Sequence, residues 1–177
     1  PIAIYVSGRY AYTANFSSNN ISIIDISNAK TPTLVSTVGV GSAPYGIYVS
    51  GRYAYTANSA SNTISVIDIS NPTAPVHVAT TSVGYGPRSI YVSGRYAYTA
   101  NFTSNSISVV DISNPAAPRQ TATTSVGSNP TAIYVSGRYA YVTNNGDSTM
   151  SIVDIFDPSS PIQTSTLSVA TSPSDVF

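Results

Sequence analysis

The 177 residues suffice for one domain with a core of its own. Seven Lys and Arg balance seven Asp, there is no Glu, and only 8% of residues are charged, which excludes the basic footprint of a nucleic-acid-binding surface. With 42% apolar residues the chain also lacks the charge-rich, apolar-poor composition of disorder; absence of Cys removes disulfides and thiolate metal sites, and no apolar run approaches the roughly 18 residues of a membrane span.

In chain order, residues 2–6 form a short apolar segment that predicts a β-strand. Ser7-Gly8, followed by Arg9, reads as a tight hairpin turn, because glycine supplies the positive φ such turns need. Residues 10–15, Tyr-Ala-Tyr-Thr-Ala-Asn, are rich in β-compatible side chains and predict the second strand. A polar linker at 16–20 leads to a third strand at 21–27, residues 28–32 break the chain, and 33–38 predict a fourth strand before 39–43 return to the next unit. Helix is excluded by the crowding of β-branched residues and by frequent breakers.

The remainder repeats this unit. Ile-Tyr-Val-Ser-Gly-Arg-Tyr-Ala-Tyr-Thr-Ala-Asn occupies 4–15, 47–58 and 90–101 unchanged, and the copy at 133–144 differs only at Val142 and Thr143. The starts at 4, 47, 90 and 133 are spaced by 43, and prolines 1, 44, 87, 130 and 173 mark the unit boundaries. Four strands in about 43 residues match a propeller blade. The predicted fold is therefore all-β, a single propeller domain over 1–177 with blades at about 1–43, 44–86, 87–129 and 130–172 and a tail at 173–177. A β-sandwich has no reason to keep a fixed period, and the coils of a parallel β-helix are shorter.

The fourth copy spells Tyr141-Val142-Thr143-Asn144, and Ser-Ile-Ser-Val-Val-Asp-Ile at 106–112 with Gly-Ser-Asn-Pro at 127–130 continues the pattern of the YVTN family of β-propeller repeats, which the units resemble. Val-Ile-Asp-Ile-Ser-Asn-Pro at 66–72 resembles the related LVIVD repeat equally well. The resemblance covers essentially the whole chain. It implies a propeller of a bacterial or archaeal surface or secreted protein, extracellular or at the cell surface.

An open row of four blades leaves an apolar face at each end. Because the units are nearly identical, the leading face of the first complements the trailing face of the fourth, within one chain or between chains. Two closures are expected: a homodimer that completes an eight-bladed ring, favoured by small residues such as Ala11, Ala14 and Ser22 on the strands, or a four-bladed monomeric ring. The tail at 173–177 begins a fifth unit and the chain opens on Pro1 rather than Met, so a longer parent chain, with any targeting segment outside this sequence, is a third expectation.

Each unit carries an Arg in its hairpin (Arg9, Arg52, Arg95, Arg138) and an Asp in its third strand (Asp25, Asp68, Asp111, Asp154). Repetition in every unit points to a structural role, the Asp accepting backbone N–H groups of the following turn or pairing with an Arg. The thrice-repeated tyrosines of each unit are read as packing residues. Tyr45 and Tyr85 break the pattern in what reads as the loop before the first strand, and with Arg88 they are the candidate ligand contacts. His77 is the only histidine and has no partner for acid–base or nucleophilic chemistry. Asp147 and Asp157 lack the spacing of a calcium loop. No catalytic residue, metal or cofactor is expected. The predicted function is a non-catalytic binding or scaffolding module whose protein or glycan partner docks on the variable loops, with no nucleic acid and no membrane insertion. An enzyme with its site in the central channel and a purely architectural, engineered or recently amplified repeat are the alternatives.

Overall fold

The computed structural model describes residues 1–176. Among these residues sixteen strands form four antiparallel four-stranded sheets, and within each sheet the strand order follows chain order. The first blade comprises β1 (Ala3–Ser7), β2 (Tyr10–Asn15), β3 (Asn20–Asp25) and β4 (Thr33–Gly39). The second comprises β5 (Pro44–Ser50), β6 (Tyr53–Asn58), β7 (Thr63–Asp68) and β8 (Val76–Ser82); the third, β9 (Pro87–Ser93), β10 (Tyr96–Asn101), β11 (Ser106–Asp111) and β12 (Arg119–Ser125); the fourth, β13 (Pro130–Ser136), β14 (Tyr139–Asn144), β15 (Thr149–Asp154) and β16 (Ile162–Ser168). The expected segments are all strands, with ends displaced by a residue or two. Among the described residues no helix is long and apolar enough to cross a membrane.

The hairpin forms as its residues dictate. Ser7 pairs with Tyr10 across the two-residue turn Gly8-Arg9, and Gly8 takes φ +58°, as do Gly51 and Gly94 in the corresponding turns. Positive φ at the first turn position alone is the type II′ geometry, whose twist matches that of the flanking strands. Every outer strand carries a bulge opposite the third strand, where Val35, Val78, Thr121 and Thr164 stand unpaired. Bulges of this kind increase local twist, and here the twist recurs at one register position in all four blades.

Successive inner strands β1, β5, β9 and β13 lie side by side, while the outer strands β4, β8, β12 and β16 barely touch, so the blades fan outward from an axis. Tyr5, Tyr48, Tyr91 and Tyr134 form a row along the inner strands with ring centroids 4.8, 4.9 and 4.9 Å apart. Three apolar clusters fill the three blade–blade boundaries. In the first, Tyr12, Ala14, Ile21 and Ile23 of one blade meet Ile47, Val49, Ile67 and Ile69 of the next. Burial pushes the Tyr55 and Tyr98 phenols of the next two boundaries up to about 12.

The four-bladed monomeric ring is not what forms. Ile4 and Val6 of the first blade are 64% and 55% exposed, whereas the equivalent Ile47 and Val49 are 7% and 5% exposed beneath a neighbour. The first and fourth blades therefore do not seat on each other. The small residues Ala14, Ala54, Ala57 and Ala97 at the blade boundaries are fully covered, so adjacent sheets approach closely there.

A second, polar layer joins the blades. Asn58 and Asn101 are completely buried: each accepts a hydrogen bond from the Thr two residues earlier and donates to side chains of the facing strand, Thr63 and Ser65 or Ser106 and Ser108. The Ser65 and Ser108 hydroxyls in turn accept the N–H of Gly41 and Gly84 in the linker arriving from the preceding blade. A Cβ on Gly41 or Gly84 would lie 2.6 or 2.5 Å from the Asn amide nitrogen, so glycine is required by close approach rather than by dihedral freedom. Asn19, Asn62 and Asn105 fasten the same linkers, their side-chain oxygens accepting the N–H of Ala43, Gly86 and Asn129.

Candidate functional site

The strand directions give the fan two faces. One carries the Gly-Arg hairpins and the turns after each third strand; the other carries the β2–β3 type turns and the blade-to-blade linkers.

On the hairpin face the repeated charges pair as Arg9–Asp25, Arg52–Asp68, Arg95–Asp111 and Arg138–Asp154. Each Asp also accepts the backbone N–H two residues on, at Ser27, Ser70, Ser113 and Phe156, so one carboxylate closes the turn and holds the hairpin. Each Arg lies about one ring-width from its neighbouring tyrosine, at 5.2–5.4 Å from Tyr10, Tyr53, Tyr96 and Tyr139. The arginines are more than half exposed, and exposed pairs of this type contribute little to stability. They do set acid sensitivity. The Arg52 guanidinium, with the Ser70 N–H, draws the Asp68 carboxyl down to about 2 from 3.8. A depressed folded-state pKa adds stability that is complete above the unfolded value and is lost as pH falls through the folded value. The contribution of Asp68 is thus present above about pH 4 and disappears between pH 4 and 2. Arg52→Gln is expected to lower the melting temperature slightly above about pH 4 and to leave it unchanged near pH 2, so that the difference from the parent shrinks as pH falls, as circular dichroism across a pH series will read.

The opposite face holds the variable residues. Tyr45, Arg88 and Thr131 occupy the same position in successive units, and each is the extra residue of a bulge near the start of an inner strand. The expected loop position for Tyr45 is therefore corrected: Pro44 pairs with Asn58 and Gly46 with Ala57, so the ladder runs through this segment and Tyr45 is ejected from it. Arg88 likewise lies within β9. Bulges re-aim a side chain without ending the strand, which is why they recur beside binding sites.

The structure brings Tyr45 and Arg88 together and leaves Tyr85 apart. The Arg88 guanidinium stacks 3.3 Å from the Phe102 ring centre and lies 5.1 Å from that of Tyr45. Phe16, from the β2–β3 turn, meets Tyr45 edge-on at 6.1 Å. Among the described residues Arg88 makes no ion pair. Tyr45, Arg88, Ser89, Thr131 and Asp175 border a recess of about 300 Å³ at the ends of the inner strands. Tyr85 is 65% exposed in the linker and does not line the recess; its carbonyl accepts the N–H groups of Thr103 and Ser104. Reading the sequence by residue type alone misses Thr131, Ser89 and Phe102. Position within the unit would have found Thr131, since residues 2, 45, 88 and 131 are Ile, Tyr, Arg and Thr between an invariant Pro and a small residue. Elsewhere, His77 contacts Thr80 at 2.9 Å on an outer strand, and the described residues contain no cluster of three or more metal-ligating side chains.

The LVIVD repeat profile matches four times, at residues 3–40, 41–82, 87–123 and 128–169. A comparison with curated proteins finds no match. Among solved structures the chain is similar to a putative 6-phosphogluconolactonase from Bacteroides fragilis, with 15% identity and TM-score 0.85, covering 98% of this chain and 56% of that one. It is similar to the periplasmic gluconolactonase of Pseudomonas aeruginosa, with 20% identity and TM-score 0.83 over 97% and 55%, and to hydrazine synthase of Kuenenia stuttgartiensis, with 23% identity and TM-score 0.78 over 96% and 49%. The chain thus spans about half the length of these structures, and the likeness is one of fold.

Proposed function

This chain belongs to the LVIVD repeat family, and we propose that it is a non-catalytic binding module of a secreted or cell-surface protein, taking an acidic glycan at the recess where its inner strands begin. The carrying observation is the bulge register. Three blades aim a different side chain, Tyr45, Arg88 and Thr131, toward one recess, while the strands that hold them are almost identical. An invariant scaffold with one changing, re-aimed position is how a repeat protein acquires a specific surface. The Arg88 guanidinium is held flat by Phe102 and Tyr45 and keeps its N–H edges for a ligand carboxylate, a geometry suited to bidentate recognition. The Ser89 hydroxyl, which accepts the Ile133 N–H, keeps its own O–H to donate to a sugar hydroxyl, while the Thr131 hydroxyl is held by Pro173 and Thr143 and borders the recess.

An array of acidic and neutral oligosaccharides tests the reading. Binding is expected on the acidic members, reduced at least about tenfold by Arg88→Ala, in line with loss of a charge-assisted pair, with an unchanged melting temperature. Binding that ignores acidity, or that survives Arg88→Ala, overturns it. The neighbours named as gluconolactonases make lactone hydrolysis the competing reading. Turnover of glucono-δ-lactone that is lost on Asp175→Asn, the one carboxylate among the described residues that borders the recess, would establish that reading instead.

A further inference from the structure

We propose that two copies of this chain associate head to tail through both open ends, blade four of each seating on blade one of the other, to close an eight-bladed ring. The inference draws on the end faces and not on the recess; the two meet at the tail, where Asp175 borders the recess.

The unpartnered faces are known in detail because the same surfaces meet three times within the chain. On the leading face, Ile4 and Val6 are largely exposed and Ile24 and Ile26 only half-covered, whereas Ile47, Val49, Ile67 and Ile69 at the same register are buried. On the trailing face of blade four, Leu167 is 59% exposed and Tyr141, Met150 and Ile152 are half-covered, whereas their counterparts Tyr12, Ile21 and Ile23 are buried. Each face therefore carries one half of a boundary whose completed form fills the apolar clusters between blades. Neither set contains a charged residue, so nothing repels a second copy. The tyrosine row ends in the same way: Tyr134 lacks the next ring that Tyr48 and Tyr91 have at 4.9 Å, and Tyr5 of a second copy would supply it.

For the 177-residue chain taken by itself, the blade count selects two copies. Propellers close with about four to eight blades, four do not close here, and multiples of four leave eight. The end contact is heterologous, so it must return on itself or run on as a filament; the outward fan of the inner and outer strands provides the rotation that returns it.

Two departures set the strength of the junction. Ala170 stands where Gly41, Gly84 and Gly127 approach a buried Asn, and a Cβ at those sites comes within 2.5–2.6 Å of the Asn amide. Residues 173–176 stand at the register of residues 1–4 of a following unit, so this tail has to lift as the second copy seats. The junction between copies is accordingly weaker than the three within a copy.

Sedimentation equilibrium of the 177-residue chain over about 1 to 100 µM, a range in which interfaces of ordinary size associate, tests the proposal. The expected result is a reversible species of twice 18.4 kDa. Ile4→Arg, at a position already exposed in the single chain, is expected to return it to 18.4 kDa with an unchanged circular dichroism spectrum. A wild-type chain that stays at 18.4 kDa throughout overturns the proposal, as do a two-copy mass that survives Ile4→Arg and a ladder of species heavier than two copies.

Discussion

Ile107→Ala is expected to destabilise the fold by about 3–4 kcal/mol, and Met150→Ala, at the same register one blade later, by about 1 kcal/mol or less. Ile107 is fully buried, packed with Val109 and with Ile133 and Val135 across the boundary to the fourth blade. Removing its side chain leaves a cavity that flanking strands, held by their ladders, cannot collapse to fill. Met150 faces the open end and is only half-covered, so solvent replaces what is removed. In an array whose stability is a sum of units and nearest-neighbour contacts, weakening the last internal boundary also uncouples the last unit. The Ile107→Ala urea curve is therefore expected to split, with the fourth blade released first. The comparison is made at a concentration where single copies predominate. Equal losses at the two positions would show that the fourth blade is covered even in the isolated chain.

Asn101→Ala is expected to cost about 3 kcal/mol, more than an average surface polar deletion, because it strands buried partners. The Thr99 hydroxyl loses its acceptor at 2.8 Å, and Ser106 and Ser108 lose donors at 3.2 and 2.9 Å, all where water has no access. Gly84→Ala approaches the same site from the preceding blade, its Cβ falling 2.5 Å from the Asn101 amide nitrogen, and is expected to cost about 1–3 kcal/mol by overpacking. Since both changes concern one small space, the double variant is expected to lose clearly less than the sum. A double-mutant cycle by chemical denaturation measures this coupling, and additivity would mean that the linker glycine and the buried amide do not share that space.

The architecture was legible because identical strings fix their own phase. Once 4–15 is read as strand, turn, strand, the copies at 47–58 and 90–101 follow, and the structure displaces only strand ends. The closure was not legible in the same way. Whether Ile4 meets Ile152 depends on the angle between neighbouring sheets, and that angle is set by how Ala14, Ala54 and their neighbours let the sheets approach, a property of packing rather than of any one residue. Pro44-Tyr45-Gly46 looks like turn punctuation, yet the pairing of Pro44 with Asn58 carries the ladder through and converts the tyrosine into a bulge. Tyr85 resembles Tyr45 in type but stands at a different unit position, and the fold accordingly sends it elsewhere. The Asn58 and Asn101 layer is not legible in residue type, because a polar residue ending a strand faces water as readily as it faces inward, and here the side chain turns to hydroxyls seven residues on.

Each sheet is assembled wholly from one 43-residue stretch, no strand being borrowed from the far end of the chain. Recombination that gains or drops a whole stretch therefore lengthens or shortens the arc by one blade and leaves every main-chain ladder intact. Such a gene can vary its copy number without passing through a misfolded intermediate, and each new copy arrives with the side chain at its inner bulge free to diverge.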